Sequence, residues 1–179
     1  MARAATPAIT ALLAAEIPHE VLQYAHDPRQ ESYGDEAVQE LVRVQGVDPE
    51  QVFKTLVVAS DGLPKGLGIA VLPVPSKLSL KAVAAALVVP KVTMAEPAAA
   101  ERATGYVLGG ISPFGQRKAL RTVVDASALR WDRVLCSAGK RGWEVGVHPR
   151  DLIVLTAAVT ADIRARSTGE RGLPTRLKR

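Results

Sequence analysis

Two runs, QVFKTLVVAS at 51–60 and LGIAVLPV at 67–74, constrain the fold more than any other part of the sequence. In an extended chain, side chains alternate between two faces. In the first run Val52, Lys54, Leu56 and Val58 share one face, and Phe53, Thr55, Val57 and Ala59 share the other. Both faces are mostly apolar, so both call for cover by other layers of the structure. The breaker-rich SDGLPKG between the runs predicts that they pair as a hairpin. One residue breaks the pattern: a lysine, Lys54, in the middle of an apolar strand.

The rest of the chain supplies that cover. Helix signals open at Thr6-Pro7, where Thr6 can cap and Pro7 suits the first turn, and run to about Glu16. DEAVQELVRVQG reads as a helix from Asp35 to Gly46, after the loop AHDPRQESYG, and DPEQ as a short turn. LSLKAVAAAL, with Ser79 as cap, and EPAAAERATG, closed by Gly105, read as two more helices. HEVLQY, KVTMA, RTVVDA, DRVLCSAG and KRGWEVGV read as strands, and both HPRDLIVLT and TADIRAR as helical. Strands and helices follow one another without a regular βαβ rhythm. The expectation is an α+β fold with a mixed, largely antiparallel sheet surrounded by helices.

A length of 179 residues suggests one domain, placed at residues 1–166, with a patternless basic tail at 167–179 expected to be disordered. The net charge is +5, of which residues 170–179 carry +3, leaving a body of only +2. Such a tail can be a solvated end or can assist binding to a polyanion. Cys136 is the one cysteine, which excludes an internal disulfide and a cysteine-based zinc site and fits a reducing, cytoplasmic setting. The N-terminal segment lacks a signal-peptide core, and no apolar run approaches the ~20 residues of a membrane helix, so no membrane partner is expected.

Common catalytic motifs are missing: there is no G-x-S-x-G, no P-loop and no H-E-x-x-H. His19, His26 and His148 are scattered and read as structural, and Cys136 reads as a small core residue. Two features remain. Lys54 either snorkels to the strand edge or sits at the floor of a cleft to meet an anion. In GYVLGGISPFGQRK the adjacent Gly109 and Gly110 either make an ordinary turn or bring backbone N–H groups to a ligand.

Four stretches, YAHDP, VFKTLVV, AERATGYVLGGISPFGQRK and SAGKRG, occur in an order that resembles the bacterial YbaK/EbsC family of free-standing editing proteins. These are the Cys-tRNA(Pro)/Cys-tRNA(Cys) deacylases, kin to the editing domain of bacterial prolyl-tRNA synthetase. The resemblance covers about Thr6 to Arg166. It implies a barrel-like α+β domain with one cleft, and a substrate that is the 3′-terminal aminoacyl-adenosine of a tRNA. It carries the family's essential lysine onto Lys54 and its oxyanion glycines onto Gly109 and Gly110. Substrate contacts fall on Tyr24, Tyr33, Thr55, Ser112 and Ser137. The sequence departs from the family pattern at Ala138, which stands for a glycine, at Glu144, which stands for an aspartate, and near LVRVQG, where helix two is longer by about a turn.

By this resemblance the activity is trans-editing: removal of cysteine from mischarged Cys-tRNA(Pro), with no metal and no cofactor. A hydrophobic site discriminates by only ~1–3 kcal/mol per methylene, so cysteine passes for proline and a second site must destroy the wrong product. The implied reaction is substrate-assisted, the cysteinyl thiolate attacking its own ester and leaving as a thiolactone. Prolyl-tRNA synthetase is an expected delivery partner, and the oligomeric state is left open. A water-using hydrolase of Ala-tRNA(Pro) and a non-catalytic tRNA- or synthetase-binding module are the alternatives.

Overall fold

The computed structural model describes residues 5–166. In chain order the elements are α1 (Pro7–Ala14), β1 (Glu20–Gln23), α2 (Tyr33–Gln45), β2 (Phe53–Ala59), β3 (Leu67–Pro73), α3 (Leu80–Ala86), β4 (Thr93–Met94), α4 (Pro97–Thr104), β5 (Arg121–Asp125), β6 (Val134–Lys140), β7 (Trp143–Val147), α5 (Pro149–Leu155) and β8 (Val159–Ala161). The caps follow the sequence. Thr6 and Ser79 accept the N–H groups of Ile9 and Ala82 at the starts of α1 and α3. Gly46 and Gly105 close α2 and α4 in the left-handed conformation, at φ 64° and 80°. Helix α2 begins two residues before the predicted Asp35, after Ser32, whose hydroxyl bonds to the Asp35 carboxylate.

The strands form two sheets. One is antiparallel, in the order β1-β7-β6; the other is mixed, in the order β4-β2-β3-β5-β8. β2 and β3 form the predicted hairpin, with Phe53 opposite Pro73 and Ala59 opposite Leu67. β3–β5 and β5–β8 are parallel. An isolated parallel bridge between Val52 and Leu135 joins the two sheets. The implied barrel closure is not found: the strands stay in two sheets among the described residues. The tail expectation at 167–179 lies outside the described residues.

The five-stranded sheet divides the apolar interior, and this explains why β2 is apolar on both faces. Phe53, Val57, Ile69, Val71 and Val124 face the main core, shared with Val134, Cys136 and Val145 of the other sheet and with α1, α4 and α5. Val58, Ala70, Leu72 and Val123 face a second core closed by Val83 and Leu87 around α3, and by Ile163. A third cluster joins Ala37 and Leu41 of α2 to Val52 and Leu135 at the junction of the sheets. Each buried aliphatic side chain contributes about 1.5–3 kcal/mol of transfer free energy, so the three cores fix which end of β2 meets which helix.

One expectation fails. TADIRAR is not helical; Val159–Ala161 add a parallel edge strand and the chain stays extended to Arg164, which bridges to Leu78. The buried Asp125 decides this. Its carboxylate accepts the Ile163 N–H at 2.9 Å and pairs with Arg164 at 3.4 Å. Ile163 is thereby seated in the second core with no exposure.

Candidate active site

The cleft lies where α2 starts, where β2 leaves the sheet junction, and where the 107–111 loop meets the second sheet. It has a volume of about 330 Å³. Its floor is Val52 and the first residues of β2, Phe53 to Leu56, and Lys54 lies there. The half-buried Lys54 ammonium donates to the carbonyls of Val74 at 3.1 Å and Ser76 at 2.7 Å, both in the chain leaving β3. Burial lowers its pKa and the Asp35 carboxylate opposes that shift. An ammonium carries three N–H donors, so two anchor the cleft wall and one remains. The side chain lies in the cleft, held by the backbone, rather than snorkelling from the strand edge.

Next to Lys54, the Thr55 hydroxyl oxygen is buried with no hydrogen-bond partner among the described residues. Opposite are Ser137 on β6 and Glu144 on β7, cross-strand partners in the ladder that also line the cleft. Glu144 is only 7% exposed, and burial pushes its carboxyl up to about 8. Burial therefore favours its protonated form at neutral pH, and no ion pair among the described residues offsets it. Ser137 Oγ accepts the Gly139 N–H at 3.1 Å.

Tyr33, the first residue of α2, closes the third side. A Cβ at Gly109 would lie 2.4 Å from the Tyr33 ring, and Gly109 has φ +81°, so only glycine permits this contact. The Arg141 guanidinium lies 4.4 Å from the Tyr33 ring centroid, while its Nε donates to the Leu108 carbonyl at 2.9 Å. His26, 5.8 Å from the Tyr33 ring, is bonded to the buried Glu36 at 2.7 Å. Tyr33 thus ties the 107–110 loop, the β6–β7 turn and the start of α2 together.

Six residues marked from sequence meet at this cleft: Lys54, Thr55, Tyr33, Gly109, Ser137 and Glu144. Three do not line it. Gly110 donates its N–H to the Val107 carbonyl at 2.9 Å, so that amide is committed to a turn. Ser112 has no exposure, and its Oγ accepts the Phe114 N–H at 3.2 Å. Tyr24 packs with the α2 cluster and donates its N–H to the Gly142 carbonyl. Burial and then the nearby Glu144 raise the Tyr24 phenol. Cys136 is fully buried in the main core, and burial suppresses its thiolate.

Sequence reasoning missed two parts of the site. One is the pair of carbonyl anchors at Val74 and Ser76, which no side-chain pattern signals. The other is the Arg141–Tyr33 contact, for which the spacing of YGDE and GKRG offers no rule.

The model of the aminoacyl-tRNA editing domain matches residues 35–155, two thirds of the chain, and takes in β2, the glycine loop and the β6–β7 ladder. The chain belongs to the aminoacyl-tRNA editing domain family. A curated relative in Enterococcus faecalis (strain ATCC 700802 / V583), named "Putative Cys-tRNA(Pro)/Cys-tRNA(Cys) deacylase EbsC", is 35% identical over 121 residues, 68% of this chain and 73% of that protein. Among solved structures, "a putative trans-editing enzyme for prolyl tRNA synthetase" superposes with TM-score 0.75 at 21% identity, over 89% of this chain and 96% of that one. The "hypothetical protein APE2540" superposes with TM-score 0.75 at 24% identity, over 89% of this chain and all of that one. At these identities the two structures show a shared fold.

Proposed function

We propose that this protein is a trans-editing deacylase that removes cysteine from mischarged Cys-tRNA(Pro), and from Cys-tRNA(Cys). The observation that carries this reading is the cleft of about 330 Å³, which brings Lys54 of an otherwise largely apolar strand and a buried carboxyl, Glu144, into one lining. The EbsC relative carries the same activity in its name. Lys54 offers its remaining N–H and its charge to the terminal phosphate or ribose hydroxyls of the 3′ adenosine. Glu144 receives the substrate ammonium, the opposite charge that would pull its pKa back down and ionise it. Ser137 and Thr55 hold polar atoms of the aminoacyl group. The Gly109 N–H, which has no partner among the described residues, faces the developing oxyanion; Gly110 supports it only by shaping the turn.

In the proposed reaction the cysteinyl thiolate attacks its own ester carbonyl carbon, a C–S bond forms, the ester C–O bond breaks, and the ribose oxygen leaves and takes a proton. The products are the thiolactone and free tRNA. The protein chiefly orients thiol and carbonyl, and in well-oriented model reactions such positioning supplies up to ~7–11 kcal/mol. A second reading is favoured by the unpartnered Thr55 hydroxyl: with Glu144 it can hold a water for hydrolysis of Ala-tRNA(Pro). Because the body of the chain carries only a small net charge, delivery by prolyl-tRNA synthetase is part of the proposal.

The test is deacylation of Cys-tRNA(Pro) beside Ala-tRNA(Pro), by wild type and Lys54→Ala. Loss of cysteine alone, abolished in a folded Lys54→Ala variant, is the expected result. Turnover of Ala-tRNA(Pro) would establish the water-using reading. Normal turnover by Lys54→Ala would remove Lys54 from the mechanism, and tRNA binding without turnover would leave a binding module.

A further inference from the structure

The cleft mouth is electrically lopsided. On one side, residues 27–40 carry five carboxylates, Asp27, Glu31, Asp35, Glu36 and Glu40, against one cation, Arg29. Asp27 pairs with Arg29, Glu36 with His26 and Glu40 with Arg43, which leaves Glu31 and Asp35 in no ion pair among the described residues; Glu31 lines the cleft itself. The β6–β7 turn, which meets the cleft walls at Tyr33 and at the glycine loop, carries Lys140 and Arg141 and no carboxylate from Ser137 to Trp143. Neither cation forms an ion pair among the described residues. Lys140 is exposed, with its ammonium 5.1 Å from the centroid of the Trp143 ring, and Arg141 is half-exposed.

This turn is also fixed in place. A Cβ at Gly110 would lie 3.2 Å from the Arg141 nitrogen and 3.4 Å from Lys140 backbone atoms, so the turn is packed against the glycine loop that lines the cleft. A Cβ at Gly142 would lie 2.7 Å from the Tyr24 carbonyl, which fixes the other side of the turn. The backbone that carries the two cations is therefore packed against the glycine loop beside the cleft. Arg141 uses only its Nε on Leu108, so its terminal N–H groups remain for a phosphate.

We infer that the β6–β7 turn, through Lys140 and Arg141, is the surface over which the phosphate backbone of the substrate RNA leaves the cleft. The proposal rests on the editing reading for what fills the cleft, and adds the direction in which the polynucleotide runs. A strand running instead along residues 31–35 would meet Glu31 and Asp35 and be repelled, and exposed charges act only within about a Debye length, ~8–10 Å. With the body of the chain near neutrality, such local charges rather than an overall field decide the path.

The experiment is binding of a fluorescent RNA hairpin with a single-stranded CCA end, followed by anisotropy from about 50 to about 200 mM salt. The proteins are wild type, Lys140→Gln, Lys140→Arg and Lys91→Gln. Lys91 is another exposed lysine just before β4, beside the end of β2 remote from Lys54. Lys140→Gln is expected to bind roughly three- to tenfold more weakly at low salt and to lower the slope of log K against log salt by about 1. Lys140→Arg should retain binding, and Lys91→Gln should match wild type. The inference is overturned if Lys140→Gln binds like wild type, if Lys91→Gln loses as much, or if wild type does not bind. Deacylation is scored separately. Binding through Lys140 without cleavage would sink the editing reading alone, whereas cleavage with an unaltered Lys140→Gln slope would sink the inference alone.

Discussion

Lys54 shows how a single residue can be conspicuous in sequence and yet ambiguous. Its place among Val52, Leu56 and Val58 is visible at once, but whether its ammonium reaches water or a cleft depends on the chain after β3. The carbonyls of Val74 and Ser76 decide that question. Gly109 was legible for the same reason: two adjacent glycines in an apolar passage mark a close approach. What approaches is Tyr33, from 76 residues earlier in the chain. Gly109→Ala should therefore be far worse than Gly110→Ala. The first combines a left-handed φ with a Cβ inside the Tyr33 ring, and is expected to cost about 2 kcal/mol or more. The second meets backbone at 3.2 Å and should cost less. Thermal unfolding of the two variants measures the difference, and equal losses would show that the Tyr33 contact does not matter.

Among the elements, helix starts were read well because a cap is a local hydrogen bond, complete within four residues. Helix ends divide into two kinds. Gly46 and Gly105 close α2 and α4 in the expected way, but α1, α3 and α5 end through left-handed Glu16, Val88 and Ala157. At α3 the Val89 N–H bonds to the Ala84 carbonyl at 2.9 Å and the Val88 N–H to Ala85 at 3.2 Å, so a valine occupies the glycine position of the helix stop. Val88 has φ 58° and is 81% exposed. A β-branched residue there is strained and buries little. Val88→Gly is expected to stabilise the protein by about 1 kcal/mol, seen as a rise of a few degrees in Tm. A fall in Tm would mean that the valine makes a compensating contact. The misread element, TADIRAR, fails at this scale too. Its alternation of Val159, Ala161 and Ile163 has the period of a strand, yet three apolar positions are too few to outweigh a helical reading without the buried Asp125 that anchors them.

At the scale of the whole molecule, two sheets and three cores bury Glu144 with no ion-pair partner among the described residues, and this links stability to pH. Its folded pKa is raised from 4.5 to about 8, so between those values the folded state holds a proton that the unfolded state has lost. The contribution of Glu144 to stability is intact below pH 4.5 and declines as pH rises through about 8. Glu144→Gln removes this dependence. Denaturant unfolding should find the variant gaining on wild type as pH rises from the acid to the alkaline side of that window, by up to about 5 kcal/mol. A constant difference across the window would show that Glu144 is not buried unpaired.

The sequence by itself determined the α+β class, the β2–β3 hairpin and the double covering of β2, because alternation and turn chemistry are local and repeat over many residues. It also marked Lys54, Thr55, Tyr33, Gly109, Ser137 and Glu144, through the resemblance of four stretches to one family. Only the tertiary structure decided that these six share a cleft while Tyr24, Gly110 and Ser112 do not line it, that the strands remain in two sheets, and that the β6–β7 turn packs its backbone against the glycine loop. Those outcomes depend on contacts between residues far apart in the chain, where burial, backbone hydrogen bonding and charge are settled together rather than one position at a time.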